Sequence, residues 1–105
     1  MRFSSILITL LVVASFAFAA DEVVVVSQRN RQFTPDHLIV AKGTVVRINN
    51  DDTVTHHVYI DTPQMSYDSD EQPVGHSISL TFDKSGTFPV RCAIHPTMHL
   101  DVTVK

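Results

Sequence analysis

The chain has 105 residues, a formal net charge of −3 and a single cysteine, Cys92. That length holds one small domain and excludes a multidomain architecture. The acidic balance argues against nucleic acid or an anionic membrane as partner, and one cysteine cannot close an intramolecular disulfide.

Met1-Arg2, an apolar run from Ile6 to Phe18 and the ending Ala17-Phe18-Ala19 open the sequence. A short basic start, about a dozen apolar residues and an A-x-A ending are the parts of a secretory signal peptide. The run is shorter than the ~20 apolar residues needed to span a bilayer, and no cysteine at the cleavage point offers a lipid anchor. The expected division is a signal peptide over 1–19 and one exported domain over 20–105, periplasmic or otherwise outside the cytoplasm, with no membrane anchor after cleavage. Loss of Arg2 with the leader takes the formal charge from −3 to −4.

After the leader the pattern is β. Glu22 to Ser27 holds four consecutive valines, a β-branched run that suits a buried strand. Phe33-Thr34-Pro35-Asp36 reads as a turn or bulge, Leu38-Ile39-Val40 as a strand, Lys42-Gly43 as a turn and Thr44 to Asn49 as the next strand. Asn49-Asn50-Asp51-Asp52 is a cluster of turn formers, after which Val54 to Ile60 resumes the strand pattern. Asp61 to Gly75 is a long polar loop with room for a short strand or helical turn, and loops of this length are often functional. Ser77 to Phe82 alternates, with Ile78, Leu80 and Phe82 on one face; Lys84-Ser85-Gly86 reads as a hairpin turn. Thr87 to Cys92 and Leu100 to Val104 complete the set. About seven to eight short strands with turn signals between them predict an all-β, antiparallel Greek-key sandwich.

The chemistry lies in Cys92-Ala93-Ile94-His95-Pro96-Thr97-Met98, a thiol, an imidazole and a thioether at spacing C-x2-H-x2-M. A Cys at a strand end, followed by His and Met in short steps, can point three donors into one loop. Thiolate, thioether and imidazole together select copper, and two His, one Cys and a weak axial Met are the set used in electron-transfer sites. Zinc can also take a thiolate and two imidazoles, but a lone Met as fourth donor argues against structural zinc.

A second histidine must come from elsewhere, and His56-His57 is the candidate pair. In an extended strand His56 shares its face with Val58 and Ile60, and His57 shares its face with Tyr59. Cys92 likewise falls in step with Phe88 and Val90. His56 and Cys92 are therefore the members expected to point inward. His37, His76 and His99 stand in polar surroundings and read as solvated surface residues, Met65 as packing, and Asp68, Asp70 and Glu71 as a solvated face.

Phe33-Thr34-Pro35, Lys42-Gly43-Thr44-Val45-Val46, Asn50-Asp51, His56-His57-Val58, Gly86-Thr87-Phe88 and Cys92 to Met98 together resemble the cupredoxins, the blue copper proteins of the plastocyanin and amicyanin type. The short C-x2-H-x2-M loop with Pro96 after the histidine is nearer to amicyanin. The resemblance implies a type 1 copper site with ligands His56, Cys92, His95 and Met98. It departs at His57, where the family usually has an Asn that ties the two ligand loops together.

The resemblance implies a one-electron carrier holding one copper per chain as Cu(I) or Cu(II), a monomer rather than an enzyme. Its expected partners are transient redox proteins: a dehydrogenase, a cytochrome or an oxidase. The alternative is a periplasmic copper-binding protein for copper tolerance or homeostasis. That role would use the same four ligands, and His37, His57, Met65, His76 and His99 could offer a secondary site. An oxidase or nitrite reductase needs further copper ions and more than the six histidines present, which include no H-x-H pair.

Overall fold

The computed structural model describes residues 22–105; the expected signal peptide and cleavage point lie outside the described residues. Among the described residues nine strands follow in order: β1 (Val23–Arg29), β2 (Gln32–Thr34), β3 (His37–Val40), β4 (Thr44–Asn50), β5 (Val58–Asp61), β6 (Ser66–Asp68), β7 (Ser77–Phe82), β8 (Gly86–Cys92) and β9 (His99–Val104). They form two sheets, ordered β2-β1-β4-β7 and β3-β9-β8-β5-β6. The molecule is an all-β sandwich, as the alternating pattern predicts.

Alternation decides which residues form the core. Inward-facing Val26, Val46, Ile48, Leu80 and Phe82 of one sheet meet Val58, Ile60, Phe88, Val90, Leu100, Val102 and Val104 of the other, all buried. The valine run of β1 is split by the same rule. Val26 is fully buried, but Val23 and Val25 are 49% and 53% exposed. The expected buried strand is half-buried, because the outer faces of a two-layer sandwich meet solvent.

Three local readings change. The sheets are mixed rather than wholly antiparallel: β1 runs parallel to β4, and β3 parallel to β9. Parallel neighbours need a crossover, so these pairings depend on segments distant in the chain. Lys84-Ser85-Gly86 is not a hairpin turn. β7 and β8 belong to different sheets, and the connection arches across the core where the Phe82 and Phe88 rings pack 5.8 Å apart. Finally, β5 begins only at Val58, and the preceding residues form an open segment, with His56 in an isolated bridge to Gln72. The long polar loop contains β6, which pairs with β5.

Candidate metal centre

Three elements bring the donors together at one end of the sandwich. Cys92 ends β8, opposite Val58 of β5 in the antiparallel register. His56 lies just before β5, and His95 in the segment between β8 and β9. Cys92 is 1% exposed and His56 fully buried, while His95 is partly exposed. Cys92 Sγ is 3.7 Å from His56 Nδ1 and 3.8 Å from His95 Nδ1, and the two Nδ1 atoms are 3.2 Å apart. A single point in this triangle lies about 2.1 Å from all three atoms, within the ~2.0–2.3 Å range of metal–imidazole and metal–thiolate bonds. The rings of His56 and His95 meet edge to face, centroids 5.0 Å apart.

Met98 is buried beside this cluster, at the end of the segment that presents His95, and its N–H donates to the His95 carbonyl at 3.0 Å. It also lines an open cleft of about 440 Å³ with Asn30, Arg31, Phe33 and Thr97. A thiolate and two imidazole nitrogens, with a buried methionine at the end of the same segment, are a soft donor set suited to copper.

The state of each histidine follows from its partners. His56 Nε2 lies 3.0 Å from Asp52 Oδ2, which already accepts the Arg31 backbone N–H at 2.8 Å. Asp52 Oδ1 accepts from Thr53 N–H at 2.8 Å. Burial pushes the Asp52 carboxyl up, but the N–H donors of Arg31 and Thr53, and His56, outweigh it and hold the pKa at about 2. An ionised carboxylate can only accept, so Nε2 is the donor of this pair, and in a neutral ring that leaves the Nδ1 lone pair toward Cys92. At His95, burial first and then His56 and Arg31 depress the pKa. A neutral imidazole with a free lone pair is what a metal requires.

His57 does not join the cluster. Its Nε2 lies 2.6 Å from Asp68 Oδ1, on the outer side. The N–H of Asp70, then His57, lowers the Asp68 pKa. The His57 carbonyl accepts Ala93 N–H at 2.8 Å, so the backbone joins the two donor segments.

The supports of His56 are not marked by the sequence pattern. Asn50, 1% exposed, donates through Nδ2 to the carbonyls of Val54 and Gln72, each at 3.0 Å, and accepts Asp52 N–H at 3.0 Å. Gln72 exchanges two backbone bonds with His56, and its side chain donates to the carbonyls of Ile48 and His76. In sequence Asp52 reads as a turn former, and Asn50 as a turn former within a segment that carries the family resemblance. The Asp52-x-x-x-His56 spacing was a usable signal, since four residues of open chain can fold a carboxylate back onto a ring. Gln72 gave none, because its contact comes from a loop sixteen residues away.

His37, His76 and His99 are exposed, and Met65 packs against the core. Among the described residues, His, Cys, Asp and Glu side chains gather in threes at two places, His56-Cys92-His95 and His57-Asp68-Asp70.

The sequence matches the family described as "Cupredoxin-like domain" over residues 2–104. The fold superposes on a mutant of amicyanin in its Cu(I) form with a TM-score of 0.74 and 26% identity, covering 84% of this chain and 90% of that one. An oxidised amicyanin mutant gives the same figures, 0.74, 26%, 84% and 90%. A purple cupredoxin from Nitrosopumilus maritimus shares the fold at a TM-score of 0.70 and 21% identity, covering 78% of this chain and 99% of that one. No curated protein matches the sequence. The chain belongs to the cupredoxin-like family.

Proposed function

We propose that this protein is an exported type 1 copper protein that carries single electrons between redox partners, with His56, Cys92, His95 and Met98 holding the metal. The observation that supports this most is the buried Nδ1–Nδ1–Sγ triangle, with edges of 3.2, 3.7 and 3.8 Å, beside a buried methionine. Copper bound there supplies a one-electron couple. The protein's own part is to keep the donors in one arrangement, so that little reorganisation accompanies transfer. His56 is fixed from both its ring and its backbone, and Cys92 is locked in a strand. His95 comes nearest the surface, between Ile94, which is 45% exposed, and exposed Pro96. This is the edge through which an electron leaves. Docking there is small and transient, as redox encounters are.

The test is direct. Cu(II) added to the mature protein should give an intense visible charge-transfer band, and Cys92→Ser should abolish it without loss of the β-fold. A variant that keeps the colour overturns the thiolate assignment. Intact mass tests the leader: an exported protein retaining residues 1–19 rejects it. A carrier should also show fast self-exchange between reduced and oxidised protein. Normal respiration in a deletion strain, with sensitivity only to added copper, would assign the protein to copper tolerance instead.

A further inference from the structure

Among the described residues the hydrogen bond between His56 and Asp52 has no counterpart at His95, and it determines more than local shape. We propose that Asp52 is the positioning residue of the site: its carboxylate accepts the hydrogen bond of the His56 Nε2–H, leaves Nδ1 of the neutral ring bare toward Cys92 and His95, and would set a fixed negative charge one imidazole away from a copper held there. The inference rests on the copper reading above, and deepens it.

Three observations support it. First, the carboxylate is buried, at 8% exposure, against a ring that is fully buried. In that surrounding a charge–dipole contact is little screened. Second, the carboxylate cannot swing away, because it is held by donors other than the histidine. Arg31 N–H at 2.8 Å binds the same oxygen as His56, and Thr53 N–H at 2.8 Å binds the other. Arg31 sits at the tip of the β1–β2 hairpin with Asn30, both residues at positive φ (55° and 56°). That tight turn aims the N–H into the site. Third, the backbone of Asp52 is fixed in turn by Asn50 Oδ1 at 3.0 Å. Hairpin, carboxylate and imidazole therefore form one connected support reaching from the first sheet to the donor cluster.

The consequence is electronic as well as geometric. An imidazole that donates to an anion is a stronger base at its other nitrogen. A stronger donor favours Cu(II) over Cu(I), so Asp52 should lower the reduction potential. A purely structural anchor for the 50–56 segment would have no such effect once the fold is intact.

Asp52→Asn keeps the size and removes the charge. In that variant Cu(II) binding should weaken about 10- to 100-fold. If Cu(II) loses about tenfold relative to Cu(I), the potential rises by about 59 mV. A folded variant with wild-type potential and Cu(II) affinity overturns the proposal. If the variant does not fold, the wild type still decides. Nitrogen-15 NMR of the diamagnetic apo or Cu(I) protein should show His56 with a slowly exchanging Nε2–H and a bare Nδ1. Protonation at Nδ1 instead, or an Nε2 proton in fast exchange with water, rejects the assignment. The apo spectrum needs no metal, so it remains a test if the wild type fails to develop the copper band. That failure would sink the copper reading and leave the Asp52–His56 bond to be judged by itself.

Discussion

His56 and His95 present the same atom to the same point, yet their segments are held in opposite ways. His56 is fully buried, and the chain around it is tied by the side chains of Asn50, Asp52 and Gln72 in a hydrogen-bonded set that joins β4, the segment before β5 and the long loop. His95 is partly exposed, on a short segment whose backbone bonds run from Ala93 N to the His57 carbonyl and from Met98 N to the His95 carbonyl. The difference divides the labour of the site. One imidazole is a fixed reference inside the fold; the other reaches solvent. Buried polar networks of this kind are costly to interrupt, although Gln72 Oε1 has no hydrogen-bond partner among the described residues.

Substitutions can break this comparison at graded strengths. The largest effect is expected at His56 itself. His56→Gly should lose the visible band completely, and added imidazole should restore it, because a buried position framed by Gln72 and Asp52 is left behind. His57→Gly should leave the colour in place, since that ring faces Asp68 at 2.6 Å. Visible spectra of the two variants, with and without imidazole, decide the matter. If His57→Gly is the variant that imidazole rescues, the roles of the pair are reversed.

Next comes the network. Asn50→Ala strips bonds from the carbonyls of Val54 and Gln72 and from Asp52 N–H, leaving buried polar groups unpaired. The apo protein should lose about 2–3 kcal/mol in denaturant titration. A substitution in the other segment, Thr97→Ala, should cost far less, because Thr97 is exposed. Equal costs would show that the two segments are supported alike.

A smaller effect is expected at Met98. Met98→Leu should keep a coloured site and raise its potential, because losing a weak donor disfavours Cu(II) more than Cu(I). An unchanged spectrum and potential would mean that Met98 only packs.

The mildest test is pH on the apo protein. The folded pKa of Asp52 is depressed from 3.8 to about 2. Its stabilisation is therefore complete above the unfolded value and is lost as pH falls through the folded one. Wild-type stability should decline between about pH 4 and 2, and Asp52→Asn should decline less steeply over the same window. Identical acid slopes, measured by chemical unfolding at each pH, would remove Asp52 from the network's acid sensitivity.

Much of the architecture was legible from alternation alone. Ile78-Leu80-Phe82, Phe88-Val90-Cys92 and Leu100-Val102-Val104 each mark one face, and each face is inward. The same parity pointed His56 and Cys92 inward, although His56 lies before the strand rather than within it. The Cys92 to Met98 spacing was legible because these donors are local, and a short loop can converge only a few ways.

Partners distant in the chain were not legible. Parallel pairing of β1 with β4 and of β3 with β9 leaves no trace in a period of two, since either direction gives the same alternation. The arch from Phe82 to Phe88 resembles a hairpin locally, because turn residues record a reversal and not which sheet receives the next strand. Asp52, Asn50 and Gln72 are ordinary polar residues in sequence; burial against His56 gives them their role. Sequence by itself determined which faces are apolar and which donors lie together near Cys92. Only the tertiary structure decided which polar groups support His56 and that His57 turns outward to Asp68, because those contacts form when two sheets and a loop close on one another.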